Sequence, residues 1–287
     1  MRLVSLMVVL VTVLGALGAA STASATPKGA FAVFSDCPLA KSEGCLYSKT
    51  EGGDFVIGKQ TVPITNPIYL QSGFVENPAN GELELIGATD GKTLSKSPQN
   101  VPGGLLDLVN CKEISNFIER IACELVFENK TTGVTATAEL AGPPAPIALN
   151  EGNLFEEKGT VFTMPIKLHL ENPFLGGSCY LGSDSAPIQV PLTSGTTSPP
   201  PPNKPIKGSA GTIEFPENGE LIVVKNVDLV NNSYAVPGAN GCGGIFSFLI
   251  DPIVNGKLGL PASSGHNTAI LLGKIEQAGV EAIKAHE

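Results

Sequence analysis

The sequence predicts a mainly β fold: an antiparallel β-sandwich-like core with one short helical insertion at about 105–125, stapled by disulfides. Short β-branched or alternating runs recur along the chain, and each is bounded by Gly, Pro, Asn or Asp. The 287 residues include 33 Gly and 23 Pro but only 16% charged residues, which disfavours long helical bundles. Six cysteines supply the staples.

The chain begins with a predicted signal peptide, residues 1–25. Arg2 supplies a short positive region, and an apolar run over 3–20 follows it. Ala23-Ser24-Ala25 matches the A-x-A pattern that signal peptidase cleaves, so we expect the mature chain to start at Thr26. An uncleaved membrane anchor is the alternative, because the run is nearly long enough to span a bilayer. After cleavage we expect no membrane span, since no second run of that length follows.

Residues 26–287 are expected to form a single β-rich domain. The predicted strands, in chain order, are 31–34, 81–86, 132–140, 161–170 and 221–230. The dipeptides Asn80-Gly81, Asp90-Gly91 and Asn218-Gly219 predict hairpin turns, because both central residues of a type I′ turn need positive φ.

An internal similarity bears on how that domain is organised. The motifs at 61–64, 66–67 and 78–83 recur in the same order at 163–166, 172–173 and 216–221. Two explanations stay open. An internal duplication would give a two-layer or two-half organisation that splits near residue 150, whereas convergent hairpin chemistry would give no such division.

The helical insertion is predicted from an apolar stripe. Its members are Ile114, Phe117, Ile118, Ile121 and Leu125, which recur at helical spacing. We expect this helix to pack on a sheet. The proline-rich tract 196–205 is polyproline-prone and either links domains or crosses the surface of one. Beyond it, 267–275 fits a strand or a helix, and 276–286 favours a helix.

All six cysteines, namely Cys37, Cys45, Cys111, Cys123, Cys179 and Cys242, lie in the predicted mature chain. An exported protein with an even number of cysteines is expected to form disulfides, because the compartment is oxidising. The CxxC spacing typical of metal sites is absent, which argues against metal binding by these cysteines. Pairing of neighbours is the simplest arrangement: Cys37 with Cys45, Cys179 with Cys242, and Cys111 with Cys123. In a straight helix over 112–122 the last pair would lie roughly 18 Å apart, against a Cα separation of about 6 Å in a disulfide. Either that helix breaks or the pairing differs.

The charge balance excludes one class of function. The net charge is −9, and removal of Arg2 with the leader changes it to −10. Arg120 is then the only arginine. A nucleic-acid binder needs a basic face, which this acidic chain does not have. We predict no cofactor and no metal site, because the HExxH, GxSxG and EF-hand patterns do not occur.

A catalytic function would depend on His266, the one candidate residue, in a loop beside the Ser263 and Ser264 hydroxyls. A Ser–His pair needs a carboxylate to orient the imidazole. The candidates for that carboxylate are Asp184, Asp228 and Asp251. His169 shares a strand face with Lys167 and is expected to point outward. A glycosidase-type carboxylate pair is the other route, although a chain without Trp is poorly equipped to stack sugars.

Five stretches carry a resemblance to known proteins, at 133–142, 170–182, 193–199, 236–244 and 265–270. Together they resemble a family of secreted actinobacterial proteins of unknown function. The resemblance spans most of the mature chain and is strongest after residue 133. It implies export and half-cystines at Cys179 and Cys242, and it implies no catalytic or binding residue.

The sequence therefore predicts a secreted, acidic, non-catalytic β-protein that is extracellular or associated with the cell envelope. We expect a binding or structural role toward a protein or envelope component that the sequence does not identify. The alternative is an extracellular hydrolase that uses His266 or a carboxylate pair.

Overall fold

The computed structural model describes residues 25–103, 115–118, 120–121, 133–143 and 147–287. The predicted signal peptide therefore lies outside the described residues except for Ala25. Cys111, Cys123 and most of the predicted helix at 105–125 also lie outside them.

Short strands dominate the described chain. In chain order they are β1 Gly44–Ile57, β2 Gln60–Pro63, β3 Ile68–Glu76, β4 Leu83–Gly87, β5 Gln99–Val101, β6 Val134–Leu140, β7 Ala148–Leu149, β8 Phe162–Glu171, β9 Tyr180–Leu181, β10 Ile188–Leu192, β11 Thr212–Glu214, β12 Leu221–Asn231, β13 Ala239–Asn240 and β14 Thr268–Gly279. The α-helices are α1 Glu151–Phe155, α2 Ser247–Leu258 and α3 Val280–Ala285. Short 3-10 helices cover Gly29–Phe34, Leu39–Lys41, Glu217–Gly219 and Gly244–Phe246.

The strands form two antiparallel sheets. Sheet 1 has the order β11-β12-β14-β1-β3-β4-β7, with β2 paired to β1. Sheet 2 has the order β13-β9-β8-β6-β5, with β10 paired to β8. Strands from both sides of residue 150 enter both sheets, so the sheets do not divide the chain there. The internal duplication stays a prediction.

The core lies between the two sheets. In β8, Ile166, Leu168 and Leu170 are buried while the residues between them face outward, as a period of two requires. They belong to one apolar cluster with Leu46 and Ile275 of sheet 1. The predicted antiparallel, sandwich-like core is therefore confirmed.

A second apolar cluster covers the outer face of sheet 1 at one end. Phe31 and Phe34 are buried there and pack with Cys45 and Ile283. The strand predicted at 31–34 is wrong, because these residues form a 3-10 helix. A spacing of three places both rings on one side of such a helix.

Two predicted disulfides are confirmed. Cys37 is bonded to Cys45, and Cys179 is bonded to Cys242. The first joins the N-terminal segment to β1, and the second joins the start of β9 to the turn after β13.

The helices differ most from expectation. Helix α2, whose Ile250, Val254 and Leu258 are buried, was not predicted from the sequence. In the predicted 105–125 helix, the described residues Phe117 and Ile118 are helical but 64% and 69% exposed. For these two side chains the expected packing on a sheet is wrong.

The C-terminal region contains a strand and then a helix. Residues 268–279 form β14, which pairs with β1 and β12, and α3 begins only at Val280. The helical preference assigned to 276–279 is therefore wrong, because these residues complete the ladder between two neighbouring strands.

The proline-rich tract packs against the turn before β14. Backbone atoms of Pro200 approach Gly265 so closely that a Cβ on Gly265 would lie 2.5 Å from the Pro200 carbonyl oxygen. The proline-rich tract thus runs across the surface of the β-rich body.

Candidate functional site

His266 lies on an exposed turn that leads into β14. Its Nδ1 lies 3.3 Å from the Ser263 hydroxyl oxygen, so the structure does bring the predicted Ser–His pair together. The fully buried side chain of Asn267 fixes this turn through hydrogen bonds to the backbone. The Asn267 amide donates to the Tyr234 carbonyl at 2.9 Å and accepts from the Gly58 N–H at 2.9 Å.

The three carboxylates proposed to orient His266 lie elsewhere. Asp184 bonds to the Lys167 ammonium at 2.8 Å, and Asp251 accepts two backbone N–H groups near Cys242. Asp228 lies opposite Leu272 in sheet 1, and its buried Oδ1 has no hydrogen-bond partner among the described residues. Burial raises the pKa of Asp228. The Ser263–His266 pair is thus not completed by any of the three predicted carboxylates.

A second histidine lies among polar groups on the outer face of sheet 2. His169 of β8 stacks on the Tyr180 ring, with centroids 4.4 Å apart. Its Nδ1 lies 3.9 Å from a carboxylate oxygen of Glu139 and equally far from one of Glu171. The register explains this grouping, because β6 and β9 flank β8 and place their outward side chains beside His169.

A polar groove of about 260 Å³ adjoins this histidine. Its side chains come from Lys167, Ser178, Tyr180, Ser183, Asp184 and Asn240. The hydrogen bond between Lys167 and Asp184 raises the pKa of the ammonium and lowers the pKa of the carboxyl, so both remain charged near neutral pH. Their charges offset each other, and hydroxyl and amide groups supply the remaining polar atoms. This arrangement suits hydrogen bonding to a polar ligand better than proton transfer.

The Cys179–Cys242 disulfide joins the two walls of the groove. The Ser178 hydroxyl donates to the Gly241 carbonyl at 3.0 Å. Asp251, in the first half of α2, accepts the Gly241 N–H at 3.2 Å and the Cys242 N–H at 2.8 Å. A carboxylate that accepts two backbone N–H groups fixes the turn strongly, because charge-assisted hydrogen bonds exceed neutral ones in strength.

The same turn carries an apolar tip, which we define as Ile245, Phe246 and Phe248. These side chains are 85%, 56% and 71% exposed, although they follow a buried half-cystine within a few residues. Full burial of each would be worth about 1.5–3 kcal/mol, which the isolated protein forgoes. Contiguous exposed apolar groups of this kind mark interaction sites.

Two interior cavities between the sheets are too small to be binding sites for small molecules. They are about 60 and 50 Å³ in volume and are lined almost entirely by apolar side chains, including Phe55, Ile68 and Ala138 in both. Pockets for small molecules are typically about 300–1,000 Å³. A larger cavity of about 590 Å³ borders the N-terminal segment but offers Lys41 as its sole ionisable side chain apart from the bonded Cys37.

The apolar tip was not predicted from the sequence. One signal was present: the run over 229–250 contains no charged residue and ends in the apolar 245–250 segment beside Cys242. Asp184 and Lys167 were both considered from the sequence, but their contact beside one groove was not predicted.

Comparison with known proteins identifies no relative: the chain matches no protein-family model, no curated protein and no solved structure. Within the described residues no helix combines the length and apolarity needed to cross a membrane. The same residues contain no group of three or more His, Cys, Asp and Glu placed to hold a metal ion.

Proposed function

We propose that the protein is an exported, disulfide-stabilised, non-catalytic β-protein that binds a protein or envelope component at the cell surface or in the medium. Three exposed apolar side chains on a turn held by Asp251 and the Cys179–Cys242 disulfide carry this proposal. The predicted signal peptide and the resemblance to secreted actinobacterial proteins are consistent with it. Disulfides persist in oxidising compartments, which also supports export.

Binding to isolated cell envelopes tests this proposal. Purified protein is sedimented with envelopes of the producing organism, and the bound fraction is compared with that of the variant Ile245→Ser/Phe246→Ser/Phe248→Ser. We expect the variant to lose at least tenfold in apparent affinity, because the apolar area that drives binding is removed.

A matched control is available on β11 and just beyond it. Ile213 and Phe215 are 41% and 59% exposed but lie on sheet 1, so Ile213→Ser/Phe215→Ser should bind envelopes like the wild type. Equal binding by all three proteins would contradict the proposal. Non-reducing peptide mapping verifies that each variant retains the Cys37–Cys45 and Cys179–Cys242 disulfides.

The second candidate function is an extracellular hydrolase, favoured by the contact between Ser263 and His266. Hydrolysis of nitrophenyl esters and glycosides by the purified protein tests it. Activity that disappears in His266→Ala would support the hydrolase. Activity that is unchanged in both His266→Ala and Ser263→Ala would eliminate this pair as its catalytic centre.

A further inference from the structure

The apolar tip is built so that its side chains stay outside. The Gly243 N–H donates to the Leu175 carbonyl at 2.7 Å, and the Phe246 N–H donates to the Gly243 carbonyl at 3.1 Å. A Cβ on Gly243 would lie 2.7 Å from Cγ1 of Ile250, so a buried side chain already fills the space beneath the turn. Ile245, Phe246 and Phe248 therefore have no vacant core position there to occupy.

The two stretches of chain that flank the tip carry no charged side chain, and Asp251, which follows them in α2, directs its carboxylate to the Gly241 and Cys242 N–H groups of the same turn. Neither 172–183 nor 229–250 contains an Asp, Glu, Lys, Arg or His residue. These two stretches meet at the Cys179–Cys242 bond and in the pairing of β9 with β13. Because transfer of a charge into an apolar medium is far more costly than transfer of neutral groups, the three side chains of the tip can enter such a medium at low cost only if Asp251 stays outside it, bound to the turn.

We propose that the apolar tip inserts into the acyl layer of a lipid surface, an inference that rests on the proposed binding function. Size favours a lipid surface over a protein partner. Aromatic side chains bury roughly 150–250 Å² each. The two phenylalanines of the tip, even with Ile245 added, thus fall short of the roughly 800 Å² that each partner contributes to a stable protein interface. A fluid acyl layer accepts a small protruding group without a complementary shape.

Charge sets a further expectation for this insertion. The full chain carries a net charge of −9, and the exported protein without Arg2 would carry −10, so anionic lipid headgroups repel it and the apolar contact must supply the attraction. Binding to neutral phosphatidylcholine vesicles should exceed binding to vesicles rich in phosphatidylglycerol. Added salt should reduce that difference, because it screens the repulsion.

A single introduced tryptophan reports insertion directly. The chain contains no Trp, so Phe248→Trp places the only indole at the tip. The exported, oxidised protein is mixed with phosphatidylcholine vesicles, and Trp emission and quenching by brominated acyl chains are recorded. We expect a blue shift and strong quenching. Phe215→Trp on the opposite sheet is the control and should show neither.

Cosedimentation with the same vesicles provides the second readout. The Ile245→Ser/Phe246→Ser/Phe248→Ser variant should bind at least tenfold more weakly than the wild type. No emission shift together with no vesicle binding would overturn the lipid inference. If envelope binding still required the tip in that case, the proposed function would stand with a protein partner. If envelope binding were also absent or independent of the tip, both proposals would fail.

Discussion

Asp251 shows how one carboxylate organises the candidate site. It belongs to α2, yet its two oxygens accept N–H groups from Gly241 and Cys242. From the sequence, this residue is a candidate for the carboxylate that orients His266. Its observed role is to fix the turn that joins the groove to the apolar tip.

Replacement of Asp251 by Asn should destabilise the protein. Asn offers one acceptor oxygen in place of two and no charge, so we expect the free energy of unfolding to fall by about 1.5–3 kcal/mol. Urea denaturation followed by circular dichroism measures the change. Asp184→Asn removes an exposed ion pair and should have a smaller effect. A larger loss for Asp184→Asn would contradict the assignment.

Tyr234 is a second residue with a distinct environment. Its side chain is buried, and its hydroxyl donates to the Thr268 carbonyl at 3.0 Å. Burial raises the pKa of Tyr234, and the nearby Asp54 raises it further. The folded state therefore retains a proton that the unfolded chain releases near pH 10.

Alkaline titration should reveal this tyrosine. Because the pKa is higher in the folded state, the stabilisation is present below about pH 10 and is lost as the pH rises above that value. We expect part of the tyrosinate absorbance to appear only as the protein unfolds, and this late phase should be missing in Tyr234→Phe. Ionisation of all four tyrosines in the folded protein would contradict this expectation.

At the scale of elements, local patterns predicted strands better than helices. Val134–Leu140 forms β6 as predicted, and every second residue from Val134 to Leu140 contacts the core between the sheets. Helix α2 contains Pro252 and Gly256, which are poor helix formers, so its sequence did not indicate a helix. The spacing of Ile250, Val254 and Leu258 was the available signal. Their burial under the turn overrides the weak local preference.

The two described disulfides should contribute unequally to stability. Cys179 and Cys242 are 63 residues apart, whereas Cys37 and Cys45 are 8 apart. Loop-closure entropy predicts losses of about 4 and about 2.5 kcal/mol when each pair is replaced by alanine. Urea denaturation of Cys179→Ala/Cys242→Ala and Cys37→Ala/Cys45→Ala gives the comparison. The reverse order of losses would show that native-state contacts outweigh loop entropy here.

At the scale of the whole molecule, the core depends on residues from distant parts of the chain. Leu192 of β10 is fully buried between the sheets in one cluster with Leu46 and Ile275. Neither sheet could bury its inner face without the other.

Truncation of Leu192 should therefore weaken the entire fold. We expect Leu192→Ala to lower the free energy of unfolding by about 2–5 kcal/mol, because it removes contacts and leaves a cavity. Leu272 is 42% exposed, so Leu272→Ala should change this free energy by about 0.5 kcal/mol or less. Thermal unfolding, followed with one spectroscopic probe on each sheet, checks the result. Separate unfolding transitions for the two sheets would contradict a shared core.

The strand-rich class, four of the five named strands and the pairings Cys37–Cys45 and Cys179–Cys242 are predictable from the sequence. The strands depend on local alternation and turn residues, and the two pairings follow the order of the cysteines along the chain. Long-range packing sets three other features: Phe31 and Phe34 form a helical cover, Asp251 holds a turn, and Ile245, Phe246 and Phe248 face outward. An apolar side chain has the same local preference in a core as at a tip. Its burial is decided by the distant residues that pack against it, and at this turn Ile250 already fills the space beneath.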